Sequence, residues 1–560
     1  MKIKSIVALL LGLGCLLQLR AQQSQPPADL GQIHGNVQIL WQTYQEDSLI
    51  GAIVPPEKTG MNAFANFIYT KGNFSAGLRY ESYLNSVLGF PGRFKGSGIG
   101  YRFAQYKHQK FDITVGNFYD QFGSGLILRA YEERNLGLDN AFDGVRVKFN
   151  PFDGVVLKGI YGYQRLDFES GLKNGPGIMR AGDVDVNFND LFKSLEDKKA
   201  KVTLGGSFVS RFQAGGTIEK DSLILAVPDN VGSWAGRINV IRGKWNFYGE
   251  YVRKINDPNA DNNFTYRDGE GILTNLSFSQ RGFGFNLQAK MVDNMSFRSD
   301  RNLLLFDLPV NFIPAITKQH TYNLAATLYP YATVINGESS FSAELFYKFK
   351  KDTPLGGKYG TNITANFAAA NSLDTTHLAG QDEIIRGFER NSVGFGSTKY
   401  IRDLNVQVAK KFSKKLKAKY TYFYLEFNPL ANPVTTDEKN LIFADIHVLE
   451  INYKIKPKHS LRIEAQTLFT EQDKGDWATA IIEYNWSPHW FFSVIDQYNY
   501  GNDDSSERVH YLFTTAGYIN GSNRISVGYG KRREGIFCIG GVCRAVPASN
   551  GFELSITSSF

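Results

Sequence analysis

Beyond its amino-terminal leader, the chain has no apolar run approaching the roughly 20 residues that a transmembrane helix needs. A mature protein that spans a membrane with helices is thereby excluded, although one that spans it with strands is not. Cysteine is scarce. Cys15 lies in the leader, and only Cys538 and Cys543 remain, too few for a disulfide-built framework. Two cysteines without a nearby His also argue against structural zinc. The 8 His are scattered. Neither Gly-x-Ser-x-Gly nor His-Glu-x-x-His occurs, so no catalytic residue is assigned and the chain is not read as an enzyme. No basic block is interleaved with stacking aromatics, which removes nucleic acid as a partner.

What is abundant points to strands in lipid. The sequence holds 55 Gly, 42 Phe and 29 Tyr, and its 14% aromatic content suits a barrel with aromatic girdles at both interfaces. A mean hydropathy of −0.27 is low for a helical membrane protein but ordinary where half of each strand faces a polar lumen. The formal charge of +8 includes Lys2, Lys4 and Arg20, so the mature chain is only mildly basic. Contact with outer-membrane lipid and lipopolysaccharide is the partner this balance allows.

Both ends of the sequence name a compartment. Met1-Lys-Ile-Lys4, the apolar stretch Ile6 to Leu17 and Leu19-Arg-Ala21 form a secretory signal peptide over residues 1–21. Gly12 stands where a lipoprotein signal needs a Leu-like residue, so Cys15 is not read as lipidated. A short periplasmic segment, 22–30, follows. At the other end Phe552, Leu554, Ile556 and Phe560 share one face of a strand, and Glu553, Ser555, Thr557 and Ser559 share the other. A closing strand with a terminal aromatic resembles those of bacterial outer-membrane barrels, where the insertion machinery reads it as a signal.

Period-two alternation recurs along residues 31–560. Short turns at 71–73, 108–110, 150–153, 242–244, 280–282, 413–414, 456–458, 487–489 and 520–522 alternate with longer polar connections. Short turns belong on the periplasmic side of such barrels and long loops outside. Counting Asn302 to Ile313 as a strand gives an even total, with both termini periplasmic. The expectation is therefore all-β: a single transmembrane antiparallel β-barrel of about 26 strands, with 24 as the alternative. Little sequence is left over for a plug. The charged stretch 189–199 is expected to form a short helix on the periplasmic side, either tidying a hairpin or docking a partner. Residues 382–388 are expected to form another in the exterior loop 370–396.

Alternation directs Arg79, Glu81, Arg146, Lys148, Lys417, Lys419, Arg462 and Glu464 into the lumen. There they either line a selective path or simply keep a wide interior polar. Asp257, Asn259, Asp261 and Asp268 fall at positions 1, 3, 5 and 12 of a calcium-type loop. However, Asn262 replaces the usual Gly and Asp268 the usual Glu. A plain polar loop is the competing reading, and no other cofactor is indicated. Cys538 and Cys543 flank Gly540-Gly541 and are expected to form a disulfide in an oxidising compartment.

Three segments, Lys254-Ile-Asn-Asp-Pro-Asn-Ala-Asp-Asn262, Pro314-Ala-Ile-Thr-Lys-Gln-His-Thr-Tyr-Asn-Leu-Ala-Ala-Thr-Leu-Tyr-Pro-Tyr331 and Cys538-Ile-Gly-Gly-Val-Cys-Arg-Ala-Val-Pro-Ala-Ser-Asn-Gly551, resemble a Bacteroidota outer-membrane β-barrel family of unknown function. The resemblance implies a porin-like barrel and carries over no ligand or catalytic residue. Two functions stay open. One is a porin-like channel for small solutes. The other is a structural or assembly component whose barrel is closed by loops or by other envelope proteins.

Overall fold

The computed structural model describes residues 30–304, 307–431, 441–539 and 542–560, with side chains for all of these except 537–539 and 542–544. The leader and most of the 22–30 segment lie outside the described residues, as do 432–440. One antiparallel sheet of 24 strands dominates the structure. Its last strand, Ser549–Ser559, pairs with Asn523–Arg532 on one side and with the first strand, Gln32–Thr43, on the other, so the sheet closes into a barrel. An even number of strands returns the chain to the end at which it entered.

Alternation explains why these segments are strands. In Phe74–Leu84, Leu78 and Tyr80 are 40% and 45% exposed on the outer surface, while Arg79 and Glu81 are 3% and 0% exposed inside. The same pattern sets Phe208, Trp234, Tyr251, Phe367, Leu449, Ile482 and Val527 outward around the ring. Near the short turns, Trp245 packs on Phe278 and Trp490 on Tyr518, each with ring centroids 4.9 Å apart. A closed ladder with an apolar outer belt and an aromatic girdle is the arrangement that leaves no backbone group unpaired in lipid. The barrel therefore spans a membrane.

The short turns fall where the sequence puts them, at one end of the barrel. At 189–199 the chain makes a single helical turn, Phe188–Leu191, followed by a 3-10 turn. The Asn189 side chain donates to the carbonyls of Leu195 (2.7 Å) and Ala200 (3.0 Å), stitching the connection closed. At the opposite end the helix Gln381–Arg386 forms, but it leans on the neighbouring loop, where Tyr266 N–H donates to Ile385 O at 2.6 Å.

The strand count of about 26 is corrected to 24. The described residues of 302–313 form no strand; they belong to the connection 294–336, which leaves the wall after Phe283–Asp293 and rejoins it at Gly337–Phe349. Leu308, Val310 and Ile313 find a dry environment inside the barrel rather than in lipid. Met295, Phe297, Val310, Ile313 and Ile316 join a buried cluster with the inward wall residues Ile160, Met179, Val209, Val252 and Val292. Of the open and loop-closed lumens that the sequence allows, the structure has the second: the filling comes from the chain's own loops.

Leu449 lies midway along Ile442–Lys456 on the outer face. Leu449→Arg is expected to cost about 2–4 kcal/mol of folding stability in lipid vesicles, whereas Asn452→Arg, on the inner face, should change it by less than about 1 kcal/mol. Urea unfolding of both variants checks this; equal effects would mean that the outer belt does not face lipid.

Candidate functional site

Two loops fill the barrel near its long-loop end. Residues 119–141 join strands Phe111–Phe118 and Phe142–Phe149, and residues 294–336 come in from Phe283–Asp293 and Gly337–Phe349, further round the ring. The two are hydrogen-bonded to each other: Arg129 N–H to Val310 O (2.8 Å), Phe312 N–H to Gly125 O (2.9 Å), and Asn140 Nδ2 to Pro309 O (2.7 Å). Leu126, Ile127 and Leu128, all 1% exposed or less, complete the apolar cluster. Further along, Tyr322, Leu324 and Tyr329 pack against Phe423, Leu425, Ile446 and Trp477 of the opposite wall. Polar ties hold the same segment: His320 Nε2 lies 2.6 Å from Asp403 Oδ2, and Leu324 N–H donates to Gln466 Oε1 at 3.1 Å. These loops are the plug.

Charged groups fix its position. Arg165 donates to Glu81 (2.7 Å) and to Asp139 of the first loop (2.8 Å). Arg79 bonds Glu81 (2.7 Å), Glu132 (3.0 Å) and Asp139. Burial alone would raise the Asp139 carboxyl, but Arg165 and Arg79 outweigh it and hold the group below the usual carboxylate range. On the second loop Arg298 pairs with Asp261 (3.2 Å), and Arg211 donates to Arg298 O (2.9 Å). Lys290 bonds Glu338 (2.9 Å) and Pro314 O (2.7 Å).

The residues predicted to face inward all do so, but in different roles. Arg79 and Glu81 clamp the plug. Arg146 is engaged by Asp112 (3.2 Å) and Asp120 (3.6 Å). Arg462 gathers Glu450 (2.9 Å), Glu483 (2.7 Å) and Glu464, with Lys419 also on Glu450 (3.2 Å). Lys148 and Lys417 face the lumen nearer the short turns. The partners Asp120, Glu132, Asp139 and Arg165 were not singled out from sequence. An apolar triplet, Leu126 to Leu128, in a supposedly exterior loop is the signal that marks that loop as interior.

The four calcium candidates do not converge. Asp257 is bonded by Arg211 (2.8 Å), Asp261 by Arg298, and exposed Asp268 by Arg253 (3.0 Å), while Asn259 caps a turn by accepting from Asn262 N–H. Guanidinium groups occupy the oxygens that a cation would need, and among the described residues no three such side chains gather into a metal site. Backbone register sets Cys538 directly opposite Cys543 in a hairpin, Gly535–Ile539 with Val542–Val546. Their side chains lie outside the described residues.

Toward the short turns the inner wall turns polar, with Asn275, Asn286, Gln288, Ser342, Asn362, Gln407, Asn452, Ser493 and Ser526 facing inward. A recess of about 660 Å³ opens there, and Gly123 and Ser124 of the plug form part of its lining. On its wall Arg237 lies flat, bonding Asp185 (2.6 Å), Asp183 (2.9 Å) and Ser207 Oγ (2.7 Å). Gly205 makes this possible, because a Cβ there would meet the Arg237 guanidinium at 2.3 Å.

A closed, lipid-belted antiparallel barrel of this size defines a transmembrane protein of the bacterial outer membrane. More particularly, the chain belongs to DUF6029, a family of unknown function that it matches over residues 1–560. No curated protein matches it. Among solved structures it is similar to the siderophore receptor PirA from Pseudomonas aeruginosa, with 12% identity over 96% of this chain and 82% of that one and a TM-score of 0.40. The P pilus usher PapC translocation pore shares 8% identity over 94% and 99% of the two chains, with a TM-score of 0.37. The outer membrane protein opdK from Pseudomonas aeruginosa shares 12% over 81% and 98%, at 0.34. At these TM-scores the likenesses carry nothing about ligand or activity.

Phe297 is 2% exposed at the centre of the plug. Phe297→Ala is expected to weaken plug packing by about 3–5 kcal/mol. Trypsin should then nick the chain at Arg298 or Arg301 much faster, while the barrel keeps its heat-modifiable migration. The depressed Asp139 carboxyl gives a pH test. Its contribution is complete above the unfolded value of about 3.9 and is lost as pH falls through the lower folded value. Protease resistance of 119–141 should therefore persist from neutral pH to about pH 4 and fail only in stronger acid; in Asp139→Asn it should be weakened at every pH.

Proposed function

We propose that this barrel is a porin-like conduit for small polar solutes that rests in a closed state. The observation that carries the reading is the division of the lumen along its axis. From the short-turn end a polar wall and an open recess lead inward, as a water-filled path requires. At the other end the path meets a plug made of the protein's own loops, each returning to the strand next to the one it left. A wide barrel with polar inner walls conducts unless something fills it. Here the filling is internal, so conduction calls for plug displacement.

In this reading the amino-terminal leader exports the chain, the terminal strand with Phe560 directs its insertion by the barrel-assembly machinery, and the short turns face the periplasm. The Bacteroidota resemblance belongs to the same proposal. The second reading, a structural component of an envelope complex, is favoured by the dry core of the plug, which packs as a protein interior does.

Planar-bilayer conductance separates the two. The purified barrel is expected to be silent or to open rarely. A variant with residues 297–333 replaced by a short Gly/Ser linker is expected to give large, steady steps. If that variant folds, judged by heat-modifiable migration, and still stays silent, the conduit reading fails and the structural one stands.

A further inference from the structure

Glu250 is the most unusual charge in the lumen. It sits on Trp245–Lys254, is 3% exposed, and makes no ion pair among the described residues. Its cross-strand neighbour is Arg237, directly opposite in register, yet the Arg237 guanidinium turns away to Asp183 and Asp185. One carboxylate oxygen of Glu250 accepts from Tyr248 OH (2.6 Å) and from Ser124 N–H (2.9 Å), both of which line the recess. The other, Oε1, has no hydrogen-bond partner among the described residues. It lies immediately behind Gly123, whose φ of +53° and missing Cβ keep the recess wall thin at that point: a Cβ would meet Oε1 at 2.5 Å.

A buried carboxylate without a counter-charge is costly, and such a group calls for an explanation. The surroundings deepen the imbalance. In the lining itself two carboxylates, Asp185 and Asp190, stand against one cation, Arg237, which also bonds Asp183. Among the lumen-facing cations around the recess, Lys158 and Arg146 are engaged by Asp120, and Lys148 and Lys201 lie beyond the lining. Asn239 Oδ1, also in the lining, is a buried acceptor with no donor among the described residues. The lining thus offers one unmet acceptor and more carboxylates than cations to whatever enters, with the Glu250 charge behind it.

We propose that the recess is a binding site for a small organic cation, an ammonium- or guanidinium-bearing solute, with Asp185 meeting the charge directly and Glu250 strengthening the field through Gly123. It deepens the conduit reading, on which it rests for its purpose, by naming the class of solute that approaches the plug. A neutral polyol would leave the charge unanswered, and an anion would be repelled.

Calorimetry on the detergent-solubilised, plug-intact barrel at low ionic strength tests this with 1,4-diaminobutane as the probe and 1,4-butanediol as its neutral match. Saturable diamine binding, absent for the diol, is expected. Glu250→Gln, which keeps an acceptor for Ser124 and Tyr248 but removes the charge, should weaken it by about tenfold or more. Asp185→Asn should do the same and serves as the second variant should Glu250→Gln fold poorly. No saturable diamine binding, equal binding of the diol, or unchanged affinity in folded variants would overturn the site. Because the readout is binding to the closed barrel, its failure leaves the conductance result untouched, and silence in the bilayer leaves the binding result untouched.

Discussion

Everything in this molecule follows from the requirement that no backbone group be left unpaired in lipid. The requirement is met at the seam, where Ser549–Ser559 lies beside Gln32–Thr43 in unbroken register from Asn36 opposite Ser559 to Gln42 opposite Glu553. Phe560 completes it, exchanging hydrogen bonds with Gly35 at 2.9 and 3.0 Å. An open sheet would present two bare edges to hydrocarbon. Closure with 24 strands solves that problem and creates another, because a ring so wide cannot be filled by the side chains of its own wall. Long loops on one rim supply the missing volume.

Filling a lumen with loops requires a way to fix their position, and apolar packing alone is non-directional. The paired charges perform that task. Glu81 bonds both Arg165 and Arg79 on the wall, and Asp139 and Glu132 of the inner loop take further donors of these arginines, so the loop docks in one register. Burying such groups contributes little net stability, since desolvation offsets the Coulomb attraction. Mispairing, however, would strand a guanidinium or a carboxylate in a dry interior. The network selects one arrangement more than it strengthens it.

Much of this was legible in the sequence, because strand direction, turn position and side-chain facing all derive from local period-two patterning. Arg79 and Glu81 were read as inward because Leu78 and Tyr80 alternate with them, and the structure agrees. The plug was not legible for the same physical reason. Residues 302–313 carry alternating apolar positions, and alternation reports only that one face is dry, not whether hydrocarbon or a protein interior dries it. The calcium reading of Asp257 to Asp268 went astray similarly: ligand spacing says nothing of the Arg residues that distant strands bring to those oxygens. Arg211 and Arg298 lie 46 residues before Asp257 and 37 after Asp261. Glu250 carried no local mark at all, since its isolation depends on Arg237 turning the other way.

The manner in which the plug is hung decides how it can move. Each of its two loops leaves and rejoins the wall on adjacent strands, at Phe118 opposite Phe142 and at Asp293 opposite Gly337. Neither can be expelled, because both ends of each remain in the ladder. Each is free, in principle, to swing about its paired strand ends toward the long-loop rim. For the first loop such a swing breaks the Arg79 and Arg165 contacts to Asp139, the Arg79 contact to Glu132 and the Glu250 contact to Ser124. For the second it breaks His320 from Asp403 and Leu324 from Gln466, on the opposite wall. The loops are also bonded to each other through Arg129, Val310, Gly125 and Phe312, so moving one strips partners from the other. A lumen closed in this way resists partial opening: the contacts that hold each loop are buried and shared, and releasing them together costs less than leaving half of them unpaired.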